Sequence, residues 1–481
     1  MKNIVFALAG IASLVSFCEP GMARLYRTTS TSAFRERDAT FPSKMTGPGA
    51  NVIDLDAAKP SHDFLGLGVS FAESSAYLWS KLLADRFPGS HAAAQREIME
   101  LLWTEKGAGL SIGRIHIGAS DYSMHLYTYD DTPGDTELKH FSIDDDRRLV
   151  LPAIRAAQAV NKDIYFFASP WSPPAWMKSG GTLCGGRLNP SSYPVYAQYL
   201  LRFLKSYADE GVPVSALTVQ NEPETEQAKN SPTCLWSAEE SAEFTTGFLA
   251  PALKASGLKT QIWAYDHNFS AKGVEYVMKQ LADPAFRDCV SATAWHPYDG
   301  SPTNLAPVRA AYPAMPMYVT EMGPHVDRTK RDMLWWSDLV LGAFNEGCGA
   351  FVSWCFLLDE DGQPNITPGF GCGGLLEIDS RTGELYESSQ FRLFRHIGPF
   401  VKRGAKVLRA PICPGEGSKG LEDVKHVAFR NPDGSYVVVL ACRAGKFDRR
   451  QIQLKCGDYY YIVQALAESV TTVPIPPSRA N

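Results

Sequence analysis

Eight short apolar segments are spaced along residues 64–356 of the chain. Each has the length of a strand, and near-continuous apolar character is typical of strands that are covered on both faces. The segments are FLGLGVSF (64–71), LSIGRIHIG (110–118), DIYFFAS (163–169), VSALTVQNE (214–222), TQIWAYD (260–266), VSATAWHPY (290–298), PMYVTEM (316–322) and GAFVSWCF (349–356).

Amphipathic stretches between these segments predict helices. In the clearest one, apolar side chains fall on a single helical face and Gly211 can close the helix. These side chains are Val195, Tyr199, Leu200, Phe203, Leu204 and Tyr207. Strand–helix alternation repeated eight times predicts an α/β protein built on a (β/α)8 TIM barrel. The competing fold is an open doubly wound sheet, which more often carries a GxGxxG phosphate loop after its first strand. GLGVSFAES (66–74) lacks that spacing.

After about residue 395 the pattern changes to strands without helical segments. HVAFRNPDGSYVVVLACR (426–443) predicts two strands joined by an Asn-Pro-Asp-Gly turn, and QIQLKCGDYYYIVQALAESVTTVPI (451–475) continues in the same style. We expect an attached C-terminal β-sandwich, to which NVIDLD (51–56) contributes a strand. The predicted division is a signal peptide (1–23), an N-terminal segment joining the sandwich (24–59), the catalytic barrel (60–395) and the sandwich (396–481).

Charge and composition narrow the function classes. The 481 residues include 47 basic and 52 acidic side chains, a net charge of −5 without a long run of either sign. Nucleic-acid binding needs a clustered basic face, so we expect no nucleic-acid partner. Lys2, the apolar run 4–17 and the small residues Gly21 and Ala23 predict a cleavable signal peptide, and therefore a secreted or periplasmic protein.

Nine of the ten cysteines follow the predicted signal peptide, and none belongs to a CxxC pair. That spacing argues against a zinc ribbon or a thioredoxin-like site. In an oxidising compartment Cys184 could pair with Cys234, or Cys442 with Cys456.

The carboxyl ends of barrel strands carry the functional side chains in this fold. The predicted ends bear carboxylates, an arginine, hydrogen-bonding groups and flat rings, which indicates a polar cleft lined by aromatic rings. The residues, in chain order, are Arg114, Asp121, Trp171, Trp176, Asn221, Glu222, His296, Tyr298, Glu321 and Trp354.

Two of these residues form a candidate catalytic pair. Glu321 lies 99 residues after Glu222, which is three strand–helix units at roughly 30–40 residues each. Strands four and seven stand across the barrel axis, so the two carboxylates can face each other over a substrate. Glycoside hydrolysis needs one protonated acid and one ionised carboxylate. We therefore predict Glu222 as acid/base, with a pKa raised by burial, and Glu321 as nucleophile, kept ionised by Arg114.

The remaining polar residues near the strand ends have weaker signals. Asp266 and His267 follow the fifth segment and could contact the site, whereas Glu224 is typical of a loop charge and Glu73 of a helix start. His296 has no HxH or HExxH partner, so we expect no metal and no cofactor, and we interpret it as a hydrogen-bonding wall of the pocket.

Four motifs resemble blocks of glycoside hydrolase family 30, in the same order. They are ASPWSPPAWMK (168–178), VQNEPE (219–224), AWHPY (294–298) and VTEMG (319–323). That family includes acid β-glucosidases acting on glucosylceramide and endo-β-1,6-glucanases, and LYTYDDTPGDTELKHFSI (126–143) is similar to the glucosylceramidase branch. The resemblance covers nearly the whole chain from about residue 60 and implies a retaining mechanism.

The resemblance also implies residue roles. It agrees with Glu222 as acid/base and Glu321 as nucleophile. Further implied roles are sugar contacts from Asp121, Trp171 and Asn221, a hydrogen bond from Tyr298 to the nucleophile, a pocket floor at Trp354 and a rim position for Asn365. The chain departs from the family pattern at Cys355, where a polar asparagine is expected, at Gly323, and along 365–374. Those loops shape the leaving-group side.

The leading interpretation is a secreted retaining β-glucosidase of the glucosylceramidase type. An endo-β-1,6-glucanase with the same chemistry is the alternative, and a sugar-binding barrel without catalysis is the alternative of another class. The expected partner is a β-glucoside, either a glycolipid or a β-glucan, and a membrane surface is contacted only through such a substrate.

Overall fold

The computed structural model describes residues 21–29, 32–44, 50–86, 89–225, 230–327, 331–367, 371–415, 421–445 and 448–477. Most of the predicted signal peptide (residues 1–20) lies outside these residues, and Ala23 begins a strand. Within the described ranges, no helix is both long enough and apolar enough to cross a membrane.

Eight parallel strands close into a barrel. The sheet closes where the eighth strand pairs with the first, with Ala350 opposite Gly66. The eight predicted strands and the (β/α)8 fold are therefore confirmed. The strands are β1 (Gly66–Ser70), β2 (Ile112–Ile117), β3 (Tyr165–Pro170), β4 (Ala216–Thr218), β5 (Gln261–Phe269), β6 (Ala292–Gly300), β7 (Met317–Val319) and β8 (Cys348–Cys355).

Two barrel strands differ from the predicted segments in a way that matters for the site. β4 ends at Thr218, so Asn221 and Glu222 stand beyond the strand. The φ of Glu222 is 48°, a left-handed conformation that cannot continue an extended strand. β5 instead continues to Phe269, which brings His267 and Asn268 into the strand.

Helices cover the barrel, and the helix predicted around residues 195–207 is confirmed as Tyr193–Asp209. The α-helices of the described chain are Glu73–Tyr77, Leu83–Arg86, His91–Trp103, Asp144–Arg148, Val150–Val160, Tyr193–Asp209, Ala238–Phe244, Ala250–Ser256, Ala271–Ala282, Pro284–Arg287, Ala306–Ala311, Met333–Asn345 and Ser389–Phe394. Single π turns occur at Leu78–Leu82 and Thr245–Leu249, and 3-10 turns at Ala175–Met177, Pro190–Ser192 and Pro302–Leu305.

The interior of the barrel is filled by side chains. Small and branched residues pack around one large ring, Trp263, so the barrel is a solid core that supports the site above it. This cluster consists of Ile112, Phe167, Ala216, Trp263, Ala292, Ala294, Ala350 and Val352. A larger apolar cluster joins the helices to the outside of the strands.

The second domain is a sandwich of two sheets that share an apolar core. The larger sheet has the order Ser32–Thr40, Ala23–Thr29, Ser469–Ile475, Tyr436–Cys442, Val424–Arg430, Lys406–Arg409 and Lys59–Asp63. The smaller has the order Ile412–Cys413, Asn51–Asp54, Arg449–Cys456 and Tyr459–Leu466. Segments from before the barrel therefore lie in both sheets, and Arg430 pairs with Tyr436 across the predicted Asn-Pro-Asp-Gly turn. A three-stranded sheet lies apart from the sandwich, at Leu357–Asp359, Leu376–Ile378 and Leu385–Glu387.

All nine cysteines of the described residues are free thiols, so neither suggested cysteine pair forms. Cys442 and Cys456 end strands that belong to different sheets. Near Cys184 and Cys234, the ammonium of Lys178 binds the carbonyl oxygens of the preceding residues, Leu183 at 2.9 Å and Thr233 at 2.7 Å.

Candidate active site

A cavity of about 310 Å³ opens at the carboxyl ends of the barrel strands. Seven predicted site residues line it, namely Asp121, Trp171, Asn221, Glu222, Tyr298, Glu321 and Trp354. Four further side chains complete the lining, and they are Thr225, His267, Asn268 and Cys372. Arg114 and His296 are fully buried and contact the lining carboxylates.

Glu222 and Glu321 face each other in this cavity. One carboxylate oxygen of each lies within 4.8 Å of the other, and a ring nitrogen of His296 lies within the same distance of both. Glu222 is 8% exposed and Glu321 6%. Retaining glycosidases place their carboxyl groups about 5–5.5 Å apart and inverting ones about 6.5–9.5 Å apart, so this geometry fits retention.

The turn that carries Glu222 is fixed against β5. The Glu222 N–H donates to the Asp266 carbonyl at 3.0 Å, and the Asn221 N–H donates to the Pro170 carbonyl at 2.8 Å. Besides Glu222, both Tyr265 (φ 76°) and Asp266 (φ 85°) have left-handed backbones. Each such non-glycine residue costs on the order of 1–3 kcal/mol and persists only where its surroundings fix it. The strained backbone after β4 and within β5 thus directs the Glu222 carboxylate into the cavity.

Arg114, on β2, links the nucleophile candidate to the rest of the site. Its guanidinium donates to Glu321 Oε2 at 2.5 Å, to Asn221 Oδ1 at 2.8 Å and to Asp266 Oδ2 at 3.0 Å. The predicted contact between Arg114 and Glu321 is therefore present. Because the guanidinium is fully buried, it is a fixed positive charge under the Glu321 carboxylate.

Asp266 has a larger part in the site than its sequence signal indicated. It is fully buried and binds both cations, Arg114 at 3.0 Å and His296 Nε2 at 3.0 Å. Three hydroxyl groups also donate to it, those of Ser169, Thr218 and Thr320. Burial alone would raise the pKa of Asp266, but the Arg114 charge and the His296 hydrogen bond hold it well below its usual range.

His296 connects Asp266 to Glu222. Its Nδ1 lies 3.1 Å from Glu222 Oε1, with Asp266 on the other ring nitrogen. Burial alone would lower the pKa of His296, but the Glu321 charge and the two hydrogen bonds raise it to about 9. The predicted rise in the pKa of Glu222 is wrong for the free site. Burial does push that pKa up, but the His296 hydrogen bond and the surrounding positive charges lower it overall.

Glu222, His296 and Glu321 are close enough together to suggest a metal site. A metal-bound imidazole must be neutral, whereas, against the effect of burial, the Glu321 charge and two carboxylate hydrogen bonds raise the pKa of His296 to about 9. Arg114 adds a second positive charge 2.5 Å from Glu321. The donor set therefore does not fit a divalent cation.

Asp121 and two tryptophans form the wall next to β2 and β3. The Trp171 and Trp354 rings lie 5.4 Å apart, and the imidazole of His116 packs against both at 4.3 and 4.8 Å. Burial, together with the charges of Glu321 and Glu222, raises the pKa of Asp121 well above its usual range. This wall combines flat apolar faces with a buried carboxyl group, and it can therefore contact both a sugar ring and its hydroxyl groups.

Tyr298 supports the Glu321 carboxylate from β6. Its hydroxyl donates to Glu321 Oε1 at 2.9 Å and accepts from the Gly323 N–H at 3.3 Å. Glu321 thus has Arg114 on one oxygen and Tyr298 on the other. The tyrosine contact implied by the family resemblance is present in the structure.

Asn365 does not line the cavity, in contrast to the rim position expected for it. Its Oδ1 accepts from the Thr367 N–H at 3.0 Å and its Nδ2 donates to the Gly362 carbonyl at 3.4 Å. The side chain therefore closes its own loop.

Sequence reasoning suggested His267 as a possible contact but missed the lining residues Asn268, Thr225 and Cys372. Asn268 had a recognisable signal, because it belongs with His267 to the polar run DHN at the end of the apolar strand β5. Thr225 comes three residues after Glu222, and Cys372 lies far from any strand-end motif in the sequence.

A TIM barrel with two close carboxylates at the carboxyl ends of its strands, next to aromatic rings, defines a glycoside hydrolase. Family models support that class over most of the chain. The glycosyl hydrolase family 30 TIM-barrel domain matches residues 66–401, and the family 30 beta sandwich domain matches residues 415–473. The chain belongs to glycoside hydrolase family 30.

Individual relatives include two kinds of enzyme. An endo-1,6-beta-D-glucanase of Neurospora crassa is 26% identical over 455 residues, covering 90% of this chain and 91% of the relative. Putative glucosylceramidase 2 of Caenorhabditis elegans is 28% identical over 442 residues, covering 87% and 82%. Among solved structures, the endo-beta1,6-glucanase BT3312 superposes with a TM-score of 0.85 at 28% identity, covering 95% of this chain and 100% of that one.

Proposed function

We propose that this enzyme is a retaining β-glucoside hydrolase in which Glu321 is the nucleophile and Glu222 the acid/base. The observation that carries the proposal is the separation of the two carboxylates, with oxygens within 4.8 Å of each other. The assignment of the two roles follows from their partners. Glu321 contacts the permanent cation Arg114, which suits a carboxylate that must stay ionised, whereas Glu222 contacts the titratable His296.

In the first step, a Glu321 oxygen attacks the anomeric carbon while the bond from that carbon to the leaving-group oxygen breaks. Glu222 donates its proton to that oxygen, and an ester between the sugar and Glu321 results. The Trp171 and Trp354 rings and the Asp121 carboxyl group hold the sugar during this step.

The proton on Glu222 is supplied from His296. In the free site the imidazole Nδ1 lies 3.1 Å from Glu222 Oε1, and although burial alone would lower the pKa of His296, the Glu321 charge and two hydrogen bonds raise it to about 9. A sugar that fills the cavity displaces water, and loss of water favours the neutral carboxylic acid over the carboxylate. Proton transfer from Nδ1 to Oε1 then gives the acid that the first step requires.

In the second step a water molecule replaces the leaving group. Glu222, now a carboxylate, takes a proton from this water, whose oxygen attacks the anomeric carbon. The ester bond breaks, and Glu321 returns to its ionised form. Two inversions at the same carbon leave the product with the configuration of the substrate.

We propose a β-1,6-linked glucan as the substrate class. Support comes from the endo-1,6-beta-D-glucanases among the relatives, in Neurospora crassa and in Trichoderma harzianum at 28% identity, and from the structural similarity to BT3312. Glucosylceramide is the second candidate. It is supported by the glucosylceramidase relatives and by the apolar side chains of Met124 and Leu126, 37% and 41% exposed on the loop beyond Asp121.

The test combines product stereochemistry with a substrate panel. Proton NMR of the first product released from a β-glucoside should show the β-anomer, and an α-anomer would overturn the retaining mechanism. Glu321→Gln should abolish turnover while glucose-containing ligands still bind. Glu105→Gln, at a surface carboxylate paired with Lys402, is the matched control and should keep wild-type activity. Release rates from a β-1,6-glucan and from glucosylceramide then decide between the two substrate candidates.

We further propose that the enzyme is exported and that its chain is divided into three units. Residues 1–23 are proposed as a signal peptide that directs the enzyme out of the cytoplasm, on the basis of their charge and apolar run. The proposed units are the N-terminal segment 24–59, the barrel 60–395 and the sandwich 396–481.

A further inference from the structure

The cavity has two chemically different sides. Barrel strands β8, β1, β2 and β3 are consecutive neighbours, and β4, β5 and β6 stand opposite them. Trp354, Asp121 and Trp171 come from the first group and offer rings and a carboxyl group. Thr225, His267 and Asn268 come from the ends of β4 and β5 and offer a hydroxyl, an imidazole and an amide.

The Thr225–His267–Asn268 side lies next to the acid/base. The Thr225 N–H donates to the Glu222 carbonyl at 3.0 Å, and His267 Nε2 lies 3.9 Å from Glu222 Oε1. During the reaction the leaving-group oxygen must lie within reach of the Glu222 proton. The leaving group therefore departs along this side, whereas the ring that is attacked rests against the tryptophans.

The three side chains form a connected hydrogen-bonding surface. Thr225 Oγ1 lies 3.0 Å from His267 Nε2, and Asn268 Nδ2 lies 3.2 Å from the same nitrogen. The Asn268 side-chain oxygen Oδ1 also accepts from the Asp299 N–H at 3.3 Å. This surface is thus ordered before any ligand arrives, as a binding site for a specific polar group requires.

A partly buried carboxylate supports this surface from behind. Glu224 accepts from the Tyr265 hydroxyl at 2.7 Å and pairs with Lys272 at 2.9 Å. His267 Nδ1 faces it at 3.8 Å. A proton on Nδ1 would satisfy this contact, and Nε2 would then accept from the Thr225 hydroxyl and the Asn268 amide.

We propose that Thr225, His267 and Asn268 form a leaving-group subsite that binds the hydroxyl groups of a second sugar. This inference rests on the proposed function and deepens it, since it selects a carbohydrate over a lipid as the leaving group. A sugar presents several donors and acceptors to these three side chains. An alkyl chain offers none and would leave their polar atoms unpaired where it excludes water, which a site of this kind rejects strongly.

The test compares leaving groups on one glucosyl unit. Thr225→Val replaces the hydroxyl with a methyl group and changes the shape of the side chain little. Asn268→Ala removes the amide with a modest loss of volume. We expect a loss of at least tenfold in kcat/KM on a β-1,6-linked gluco-oligosaccharide. On octyl β-glucoside the loss should stay below threefold, because its chain makes no hydrogen bond to these residues. Asn345→Ala is the matched control, at the far end of the helix Met333–Asn345, and should change neither value.

His267 needs a separate readout because it also lies near Glu222. His267→Phe should reduce cleavage of the oligosaccharide far more than that of octyl β-glucoside, and the pH profile on the latter should keep its position. A shifted profile with equal losses on both substrates would mean that His267 acts through Glu222, and would overturn its assignment to the subsite.

Two results distinguish a failure of the leaving-group subsite from a failure of the proposed hydrolase activity. If the wild-type enzyme cleaves both glucosides but Thr225→Val and Asn268→Ala reduce both equally, the leaving-group subsite is refuted and the hydrolase remains. If the wild-type enzyme cleaves no β-glucoside, the proposed function fails, and the subsite fails with it.

Discussion

Replacing Asp266 with asparagine removes one negative charge from a cluster that holds two buried cations. The exchange keeps the shape of the side chain but leaves Arg114 and His296 with a neutral partner at 3.0 Å each. Breaking a buried ion pair in this way costs about 3–5 kcal/mol. We therefore expect Asp266→Asn to lower the free energy of unfolding by about that amount at pH 7.

The pH dependence identifies how much of this loss comes from His296. Its pKa rises from 6.5 to about 9 on folding, which corresponds to about 3 kcal/mol at about 1.4 kcal/mol per tenfold change in binding. A raised histidine pKa stabilises the fold fully below its unfolded value, and this contribution is lost as the pH rises through about 9. The difference between wild type and Asp266→Asn should therefore shrink between pH 7 and about pH 10.

Urea denaturation followed by tryptophan fluorescence at both pH values measures these differences. Asp163→Asn serves as the matched control, since Asp163 is an exposed residue paired with Arg403 at 2.9 Å, and such pairs are worth about 0–1 kcal/mol. A loss below about 1 kcal/mol for Asp266→Asn, or a difference that does not depend on pH, would show that Asp266 does not stabilise the two buried cations.

Three further predictions concern catalysis. Glu222→Gln should slow unactivated glucosides by a far larger factor than activated aryl glucosides, because only the former need a proton on the leaving group, and equal effects in steady-state kinetics would exclude the acid role. Tyr298→Phe removes one hydrogen bond to the Glu321 carboxylate, worth about 1.5–3 kcal/mol, so kcat/KM on an aryl glucoside should fall roughly 10- to 100-fold. A change below twofold would contradict this. Arg114→Lys keeps the charge but cannot donate to Glu321, Asn221 and Asp266 together. We expect kcat to fall at least 100-fold, and crystallography or circular dichroism should show the fold retained; near-normal kcat would show that charge alone suffices.

The barrel and the pair of facing carboxylates could be predicted because both leave local signals. Eight apolar segments of strand length with helical stretches between them predict a closed parallel sheet. Glu222 and Glu321 each stand at the end of such a segment, so their three-unit spacing was enough to bring them face to face. The same reasoning found Arg114, Trp171 and Tyr298, which the structure brings to the cavity or directly beneath it.

Several contacts that form only in the folded protein were not predicted. The pKa of Glu222 depends on His296, which lies 74 residues away in sequence, and an apolar setting inferred from neighbours in the chain gave the wrong direction. Asn365 has the right residue type but closes its own loop. Cys184 and Cys234 remain free, with the Lys178 ammonium binding the carbonyl groups beside them.

Short segments of the sequence were enough to predict the kind of fold and the positions from which carboxylates reach the cavity, because strand period and strand ends are local properties. The directions of the pKa shifts, and the polar side chains that gather beside Glu222, became apparent only from the folded structure. Those properties depend on burial and on charges a few ångströms apart in space, to which Asp266, His296 and His267 contribute from strands that meet only when the barrel closes.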